Sequence, residues 1–385
     1  MAGTKIERAW LLAALFAAIG LHAVPFLTYI SRDLDEAYRG WFNQLAESGF
    51  SRPMGNYSPP FLYLLWCLTW LKGLIWTNAL IKLLAVAGGI WVAYSAGQIL
   101  KALGKPQELG LFFLLLPSII LNTSLLGQSD TFWVAPCLLA TAAAIEGKYA
   151  RVSAWAGLAF AFKGQAAVFA PFVILLFVRA RVRPFVWLIA PVVFFAAMVP
   201  ACLGGWTASY IASIYLGQAE YVDTAGDYFV GNGASLWTLF GFLAPKAASD
   251  LRWLGVPLIL GGLAAYWRYS PAPNARNMVR LAAISAAGVP FLLPLMLDRF
   301  FILAAVLAVI NAIAFPSRRT ILAAAAMEIA SAWPITVWAF LSHPWSAIGA
   351  PFTLIALVLL WREPKYASET SSSSRDETVR APALG

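Results

Sequence analysis

The chain has 385 residues, of which 61% are hydrophobic and only 12% are charged. A soluble globular domain carries about 25% charged residues, so this chain has more apolar surface than an aqueous fold can bury. The same composition excludes a coiled coil, collagen, a disordered chain and a small disulfide scaffold. The net charge of +9 lies in short basic clusters between apolar runs, as in the cytoplasmic loops of membrane proteins. We therefore expect an all-α polytopic integral membrane protein that contacts membrane lipids and binds no nucleic acid.

Apolar runs suited to membrane helices follow one another along most of the chain. A bilayer crossing needs roughly 20 apolar residues. The first run is expected to be an uncleaved helix, because no small-residue cleavage site follows it. Runs of suitable length lie at 8–30, 78–100, 107–125, 129–146, 184–203, 251–267, 279–296, 299–315, 320–341 and 346–362.

Two further apolar segments are not simple crossings. The stretch 152–178 has Lys163 in its middle and basic clusters on both flanks, which predicts a helical hairpin with its tip at Lys163. The segment 58–76 opens with Pro59 and Pro60 and is predicted to be a re-entrant or interfacial element. With the ten runs, these segments predict about 11–13 transmembrane helices in a single domain, 1–362.

The charge asymmetry predicts which side of the membrane each loop occupies. Lys and Arg are enriched in cytoplasmic loops, and the basic clusters alternate with acidic loops along the chain. Placing the basic clusters inside predicts a multi-pass protein of the cell inner (plasma) membrane. The polar tail 363–385 is expected to be disordered and cytoplasmic. The clusters assigned to the cytoplasm include Lys101 with Lys105, Lys148 with Arg151, Arg179 to Arg183, and Arg318 with Arg319.

Two outer loops are long enough to hold a site. The first, 31–57, carries three acids and an amphipathic stretch expected to lie in the membrane interface as a horizontal helix; the alternative is a solvated acidic loop. The second, 204–234, is expected to cap the site or bind an acceptor. The acids of the first loop are Asp33, Asp35 and Glu36, and its apolar side chains are Trp41, Phe42, Leu45 and Phe50. The polar residues of the second include Tyr215, Glu220, Tyr221, Asp223, Asp227, Tyr228 and Asn232.

Polar residues at the outer ends of apolar runs are the main candidates for chemistry. A charge in hydrocarbon costs at least about 2.5–3.5 kcal/mol, so it normally faces a wet cavity or a partner. The alternatives are helix N-caps for the two acids and buried ion pairs for the two cations. The predicted topology brings these residues to the side of Asp33: Gln128, Asp130, Lys163, Gln165, Asp298 and Arg299.

Two cations and several carboxylates around an outward funnel suit a substrate with a phosphate on a lipid tail. Lys163 and Arg299 would neutralise the phosphate, and a carboxylate would deprotonate an incoming hydroxyl. The sequence has no Walker loop and no soluble domain for a nucleotide sugar. The donor is therefore expected to arrive through the membrane.

Four stretches of the sequence resemble the GT-C superfamily of polyprenyl-phosphate-sugar-dependent glycosyltransferases, in particular bacterial relatives of the second GPI-anchor mannosyltransferase. Asp33 precedes Trp41 by eight residues, with Gly49 after it, and 56–65 reads NYSPPFLYLL. The stretch 117–165 carries PSIILN, GQSD and FAFKGQ, and 297–300 reads LDRF where relatives carry HERY. The resemblance covers 31–65, 117–175 and 288–310, about a third of the chain.

The resemblance implies a hexosyltransferase that inverts the anomeric carbon and needs no metal or other cofactor. Asp33 would be the catalytic base, with Asp35 and Glu36 as local alternatives, and Lys163 and Arg299 would bind the donor phosphate. The sequence departs from the family at 297–300, so a role that needs an imidazole at position 297 is absent. The expected substrate-binding residues are Tyr57, Gln128, Asp130, Gln165, Asn232 and Asp298.

The expected reaction is transfer of a hexose, with mannose favoured, from a polyprenyl-phosphate sugar to a lipid-linked or glycan acceptor on the extracytoplasmic side. A lipid-linked glycan polymerase or ligase is an alternative, since it also places basic residues on a lipid phosphate. A membrane transporter of glycolipid is the second alternative function. A transporter would place charges near the midplane in paired halves, and only Glu328 has such a position in this sequence.

Overall fold

The computed structural model describes residues 7–55, 57–217 and 230–362, and the predicted tail 363–385 lies outside them. Every regular element in these ranges is helical, which confirms the all-α class. The α-helices are α1 (Arg8–Thr28), α2 (Arg39–Ser48), α3 (Pro59–Leu68), α4 (Thr77–Ala102), α5 (Pro117–Ile120), α6 (Thr131–Ile145), α7 (Tyr149–Phe162), α8 (Ala170–Arg179), α9 (Pro184–Trp187), α10 (Ile189–Leu203), α11 (Ala208–Leu216), α12 (Leu236–Leu243), α13 (Pro245–Asp250), α14 (Gly255–Tyr269), α15 (Ala275–Leu292), α16 (Ile302–Ala314), α17 (Arg318–Phe340) and α18 (Gly349–Trp361).

Several of these helices are long and apolar enough to cross a bilayer, in agreement with a multi-pass membrane protein. Proline and polar breaks divide other apolar runs into shorter helices, such as the 15-residue α6. The count by length and composition is therefore lower than the number of apolar runs. Within the described ranges the five spans are Arg8–Thr28, Thr77–Ala102, Pro184–Leu203, Arg318–Phe340 and Pro344–Trp361, and a sixth forms if Gln107–Leu115 and Pro117–Leu125, bent by 64°, count as one.

Helix α6 is the centre of the molecule. All of its residues from Thr131 to Ala144 are buried, and it packs against α4 and α7. A helix that is apolar on every side is one that is buried on every side. Because α6 is surrounded by protein from its first residue, Asp130, which directly precedes it, also lies deep in the protein.

The predicted hairpin is confirmed by contacts between its two ends. The rings of Tyr149, at the start of α7, and Phe177, near the end of α8, have centroids 6.2 Å apart. Between the helices the chain is extended at Lys163, with φ −164° and ψ 133°, and continues as a 3₁₀ turn over Gly164–Phe169. The basic flanks of the hairpin therefore lie at one end, and Lys163 lies at the other.

The segment after the first outer loop is shorter than a crossing. Helix α3 has 10 residues and begins with two prolines, which suit the first turn because its N–H groups have no helical partner. A 3₁₀ turn, Thr69–Leu71, follows. The side chains of Trp70, within this turn, and of Trp76, after it, are exposed. A full crossing by this segment is therefore not observed, and its interfacial placement stays a prediction.

The amphipathic helix of the first outer loop packs part of its apolar face against the protein. Phe42 and Leu45 of α2 are buried, and the ring of Phe50 lies 5.1 Å from that of Tyr63 in α3. The expected exposure of Phe42 and Leu45 to the membrane interface is therefore wrong, whereas the horizontal placement of the helix stays a prediction. The same spacing of apolar residues occurs in a helix that packs against the rest of its own protein.

Glu328, whose role the sequence leaves open, supports the bent span. Its carboxylate accepts hydrogen bonds from the backbone N of Ser118 at 2.7 Å and from the Ser118 hydroxyl at 3.1 Å. Ser118 follows Pro117, where a new helix begins and its first N–H groups have no helical partner. The carboxylate of α17 therefore stabilises the break.

Candidate functional site

Asp130 is fully buried and accepts hydrogen bonds from three side chains. Its carboxylate accepts hydrogen bonds from Lys163 Nζ at 2.7 Å, Asn122 Nδ2 at 3.1 Å and Trp133 Nε1 at 3.4 Å. It forms no side-chain cap on α6, so the ion-pair alternative is observed and the N-cap alternative is not. Burial acts to raise the pKa of Asp130, but Lys163 and Arg299 outweigh it and lower that pKa below its ordinary value.

A tight turn brings Gln128 and Asp130 into the protein. Gly127 has φ +67°, a conformation that favours glycine. A Cβ added to Gly127 would lie 2.9 Å from Leu34 Cδ1, so the glycine also permits close packing of the first outer loop. The Ser31 hydroxyl donates to Leu126 O at 2.7 Å, which fixes the loop to this turn.

Asp33 joins the first outer loop to this turn. Its Oδ2 accepts hydrogen bonds from Gln128 Nε2 at 2.7 Å and from Arg299 Nη1 at 2.8 Å. Its side chain is 28% exposed, compared with 0% for Asp130 and 2% for Asp298. Asp33 is thus the most accessible of the three carboxylates.

The two neighbouring acids of the loop point away from this network. Asp35 pairs with Arg39 at 2.6 Å and Glu36 pairs with Arg32 at 2.9 Å, in both cases one helical turn apart on the exposed face. These pairs fit a solvated surface. They leave Asp33 as the loop carboxylate that contacts the buried groups.

Arg299 lies among three carboxylates. Besides its hydrogen bond to Asp33, its Nε lies 3.8 Å from Asp130 Oδ2 and 3.7 Å from Asp298 Oδ1. No other cation of the described residues lies within 4 Å of all three carboxylates. The guanidinium is therefore the positive centre of the network.

Burial disfavours the ionised form of the Asp298 carboxylate. Its Oδ2 is buried and has no hydrogen-bond partner among the residues that the structure describes. Burial raises the pKa of Asp298 to about 6, against the opposing effect of Arg299. Its backbone N donates to Asn232 Oδ1 at 3.1 Å, and the N-cap of the turn Asp298–Phe301 is Leu297 and not Asp298. The structure therefore brings the predicted residues Asn232 and Asp298 together, and the N-cap alternative for Asp298 is not observed.

Two tyrosines close one side of the network. Tyr57 hydrogen-bonds the Ser129 hydroxyl, and its ring centroid lies 5.3 Å from Lys163 Nζ, within cation–π distance. Tyr38 donates to Gln128 Oε1 at 2.8 Å. Burial raises the pKa of both phenols, so they act as neutral donors and apolar walls.

Sequence reasoning missed Tyr38, Asn122 and Ser129 as members of this site. Tyr38 lies five residues after Asp33, across the wide π-helical turn Leu34–Tyr38. A π-turn is enriched at functional sites, but a helical period of 3.6 does not place these two residues on one face. Asn122, in the stretch LNTS, and Ser129, between Gln128 and Asp130, were visible as polar residues in apolar surroundings.

The remaining predicted residues have more peripheral positions. Gln165 is half-buried in the 3₁₀ turn that follows Lys163. Tyr215 of the second outer loop donates to Ala161 O at 2.7 Å, near the hairpin tip. The loop residues Glu220, Tyr221, Asp223, Asp227 and Tyr228 lie outside the described residues.

The network combines two cations with three carboxylates at the junction of the first outer loop, the 127–130 turn, the hairpin tip and the 298–301 turn. No group of three or more His, Cys, Asp and Glu in the described ranges is placed to hold a metal ion. The arrangement can hold an anion on its cations and accept a proton on an exposed carboxylate. Compared with models of known protein families and with curated proteins, the chain matches none of them.

Proposed function

We propose that the chain is an inverting glycosyltransferase of the GT-C type. It moves a hexose, with mannose the first candidate, from a polyprenyl-phosphate donor to a lipid-linked or glycan acceptor. The proposal includes a GT-C-like arrangement of about 11–13 membrane helices, some of them broken, in the cell inner (plasma) membrane. The site faces the extracytoplasmic side, and no metal or other cofactor is required.

The position of Asp33 is the observation that carries the proposal. Its Oδ2 is held by Gln128 and Arg299, while Oδ1 has no hydrogen-bond partner among the described residues. A carboxylate that is oriented through one oxygen and exposed through the other is suited to accept a proton from a hydroxyl. Asp33 is therefore the proposed base that deprotonates the acceptor.

The two cations are the proposed donor-phosphate site. The Lys163 and Arg299 side chains are only 10% and 13% exposed, and both are paired with carboxylates. A phosphate that enters must share these cations with Asp130 and Asp33. The charge-assisted hydrogen bonds that result are the strong type, and the guanidinium can make two of them.

One exposed base is enough for this chemistry. The acceptor oxygen attacks the anomeric carbon as Asp33 takes its proton, and the bond from that carbon to the phosphate oxygen breaks. The phosphate leaves as a stable anion and needs no acid, whereas most glycoside hydrolases need two carboxylates. The Lys163 ammonium and the Arg299 guanidinium would stabilise the charge that develops on the leaving group.

The direct test is transfer of a radiolabelled hexose from a polyprenyl-phosphate donor by membranes that contain the full chain. We expect labelled glycolipid or glycan with the wild-type chain and almost none with Asp33→Asn. Asp35→Asn is the matched control, because it makes the same substitution on the exposed face of the same loop. Movement of labelled lipid across the membrane without transfer would support a transporter instead. Activity only with an oligosaccharide-diphosphate lipid would support a polymerase or ligase.

A further inference from the structure

Lys82 is a buried cation inside an apolar helix, far in sequence from the charged network. It lies in α4 and is 1% exposed. Its Nζ donates to the backbone carbonyls of Pro25 and Phe26 at 3.0 Å each, and also to that of Tyr29. In the described part of the chain no carboxylate pairs with it.

Pro25 and Phe26 lie in the last turn of α1, which ends at Thr28, and Tyr29 is the residue that follows it. The last four carbonyls of a helix have no helical partner, and a cation is favourable beside them because of the helix dipole. A charge in hydrocarbon is costly without such partners. The Lys82 ammonium therefore fixes the point at which the chain leaves the first span.

This anchored point lies immediately before Asp33. Tyr29, whose carbonyl Lys82 binds, is four residues earlier, and Ser31 supplies a second anchor. The Ser31 hydroxyl donates to Leu126 O at 2.7 Å and accepts from Leu34 N at 3.2 Å. The hydrogen bonds of Lys82 and Ser31 thus hold the segment that carries Asp33 in place.

The stem of Lys82 also lies beside Gly127, the residue before the partner of Asp33. A Cβ built on Gly127 would lie 3.3 Å from Lys82 Cγ and 2.9 Å from Leu34 Cδ1. Gly127 precedes Gln128, whose side chain donates to Asp33. Lys82 therefore lies beside the turn that carries Gln128 and binds the backbone four residues before Asp33.

We propose that Lys82 is a positioning residue for Asp33. Its ammonium holds the backbone before Asp33, and its stem supports the turn that carries Gln128. Its consequence for catalysis rests on the proposed function, whereas its effect on the order of the 29–38 segment does not. Removing the ammonium releases the end of α1 and misplaces the Asp33 carboxylate while the chain stays folded.

The chain offers a matched control on a different helix. Arg179 also donates to three carbonyls at a helix end, those of Trp267 at 2.8 Å, Ser270 at 2.8 Å and Pro271 at 2.7 Å. Arg179 is at the basic end of the hairpin, opposite Lys163. Arg179→Met therefore removes the same kind of contact at a place remote from Asp33.

The test compares the full-length wild type, Lys82→Met and Arg179→Met in nanodiscs by hydrogen exchange and by transfer kinetics. In Lys82→Met we expect the amides of residues 29–38 to exchange at least about tenfold faster. We also expect kcat to fall roughly 10–100-fold, as for a small misplacement of a catalytic group, with the KM for the lipid donor unchanged. Arg179→Met should change neither quantity.

Several outcomes separate the two proposals. Unchanged exchange at 29–38 in Lys82→Met, or an equal increase in Arg179→Met, overturns the positioning role. If the wild type transfers no sugar but exchange rises as expected, the proposed function fails and the positioning role stands. If Lys82→Met does not fold, Lys82→Gln, which keeps an N–H donor on a shorter stem, supplies the same comparison.

Discussion

Arg299 Nη1 donates a hydrogen bond to Asp33 Oδ2 at 2.8 Å across 266 positions of sequence. The contact joins the first outer loop to the turn before α16. Since Arg299 Nε also lies within 4 Å of Asp130 and Asp298, one guanidinium organises all three carboxylates. The site therefore depends on the packing of distant helices and not on a local motif.

Asp33→Asn tests the proposed base. The amide keeps the shape of the side chain and an oxygen for Gln128 and Arg299, but it cannot take a proton. Loss of a general base typically lowers the rate by about 10²–10⁴-fold, and we expect kcat for hexose transfer to fall within this range. Initial rates at saturating donor, with thermal stability measured in parallel, check this expectation.

Asp35→Asn is the companion variant for that measurement. Asp35 is paired with Arg39 on the exposed face of the loop, so we expect its kcat to stay near the wild-type value. An inactive Asp35→Asn beside an active Asp33→Asn would move the base by two residues. Full activity of both variants would contradict the mechanism.

The sequence predicted which polar residues meet, because a charge in an apolar run must find a partner or water. That rule placed Asp130, Lys163, Asp298 and Arg299 on one side together with Asp33. It offered buried ion pairs of Lys163 and Arg299 with Asp130 and Asp298 only as an alternative, and it did not predict which cation meets which acid. The contact of Lys163 with Asp130, and not with a second outer acid, depends on the depth of the hairpin tip beside α6.

Other features were beyond sequence reasoning for separate physical reasons. The apolar stripe of α2 has the same spacing whether it faces lipid or protein, so the sequence could not show that Phe42 is buried in the protein. Lys82 was missed because its partners are backbone carbonyls, which leave no pattern in the side-chain sequence. Breaks such as that at Pro117 shorten helices within apolar runs, so hydropathy alone overestimates the number of long spans.

Lys163→Met tests the buried ion pair at the hairpin tip. Removing the ammonium leaves the Asp130 carboxylate, which is 0% exposed, without its closest cation. Breaking one partner of a buried pair costs about 3–5 kcal/mol, so we expect a clear loss of thermal stability in detergent. We also expect a higher KM for the lipid donor, because a phosphate contact is lost.

A double variant separates these two effects. Lys163→Met with Asp130→Asn removes both charges and should recover much of the lost stability while the donor KM stays high. Lys148→Met is the control for loss of a lysine, since its pair with Glu146 is exposed and such pairs contribute little. Equal stability of Lys163→Met and Lys148→Met would argue against a structural role for the buried pair.

The orientation of the chain is tested with single cysteines after replacement of Cys67, Cys137 and Cys202. Glu36→Cys reports on the first outer loop and Arg181→Cys on the basic end of the hairpin, and both positions are exposed. We expect a membrane-impermeant thiol reagent to label position 36 in intact spheroplasts. Position 181 should react only after the membrane is opened. The opposite pattern would place the network on the cytoplasmic side.

Asp298→Asn tests the electrostatic cost of the third carboxylate. Burial raises the pKa of Asp298 from its ordinary 3.8 to about 6, so between pH 4 and 6 the folded chain binds more protons than the unfolded chain. Stability therefore falls as pH rises through this window, and it is lowest once Asp298 is ionised in both states. Asn does not titrate, so we expect Asp298→Asn to be more stable than the wild type by up to about 3 kcal/mol above pH 7 and nearly equal to it at pH 4.

Melting curves between pH 4 and 8 measure this difference in stability between the variant and the wild type. The control is Ser285→Ala, which removes a buried, non-titrating hydrogen bond to Val168 O. Its difference in stability from the wild type should not vary with pH. A destabilised Asp298→Asn at pH 7.5 would show that the ionised carboxylate stabilises Arg299 by more than its burial costs.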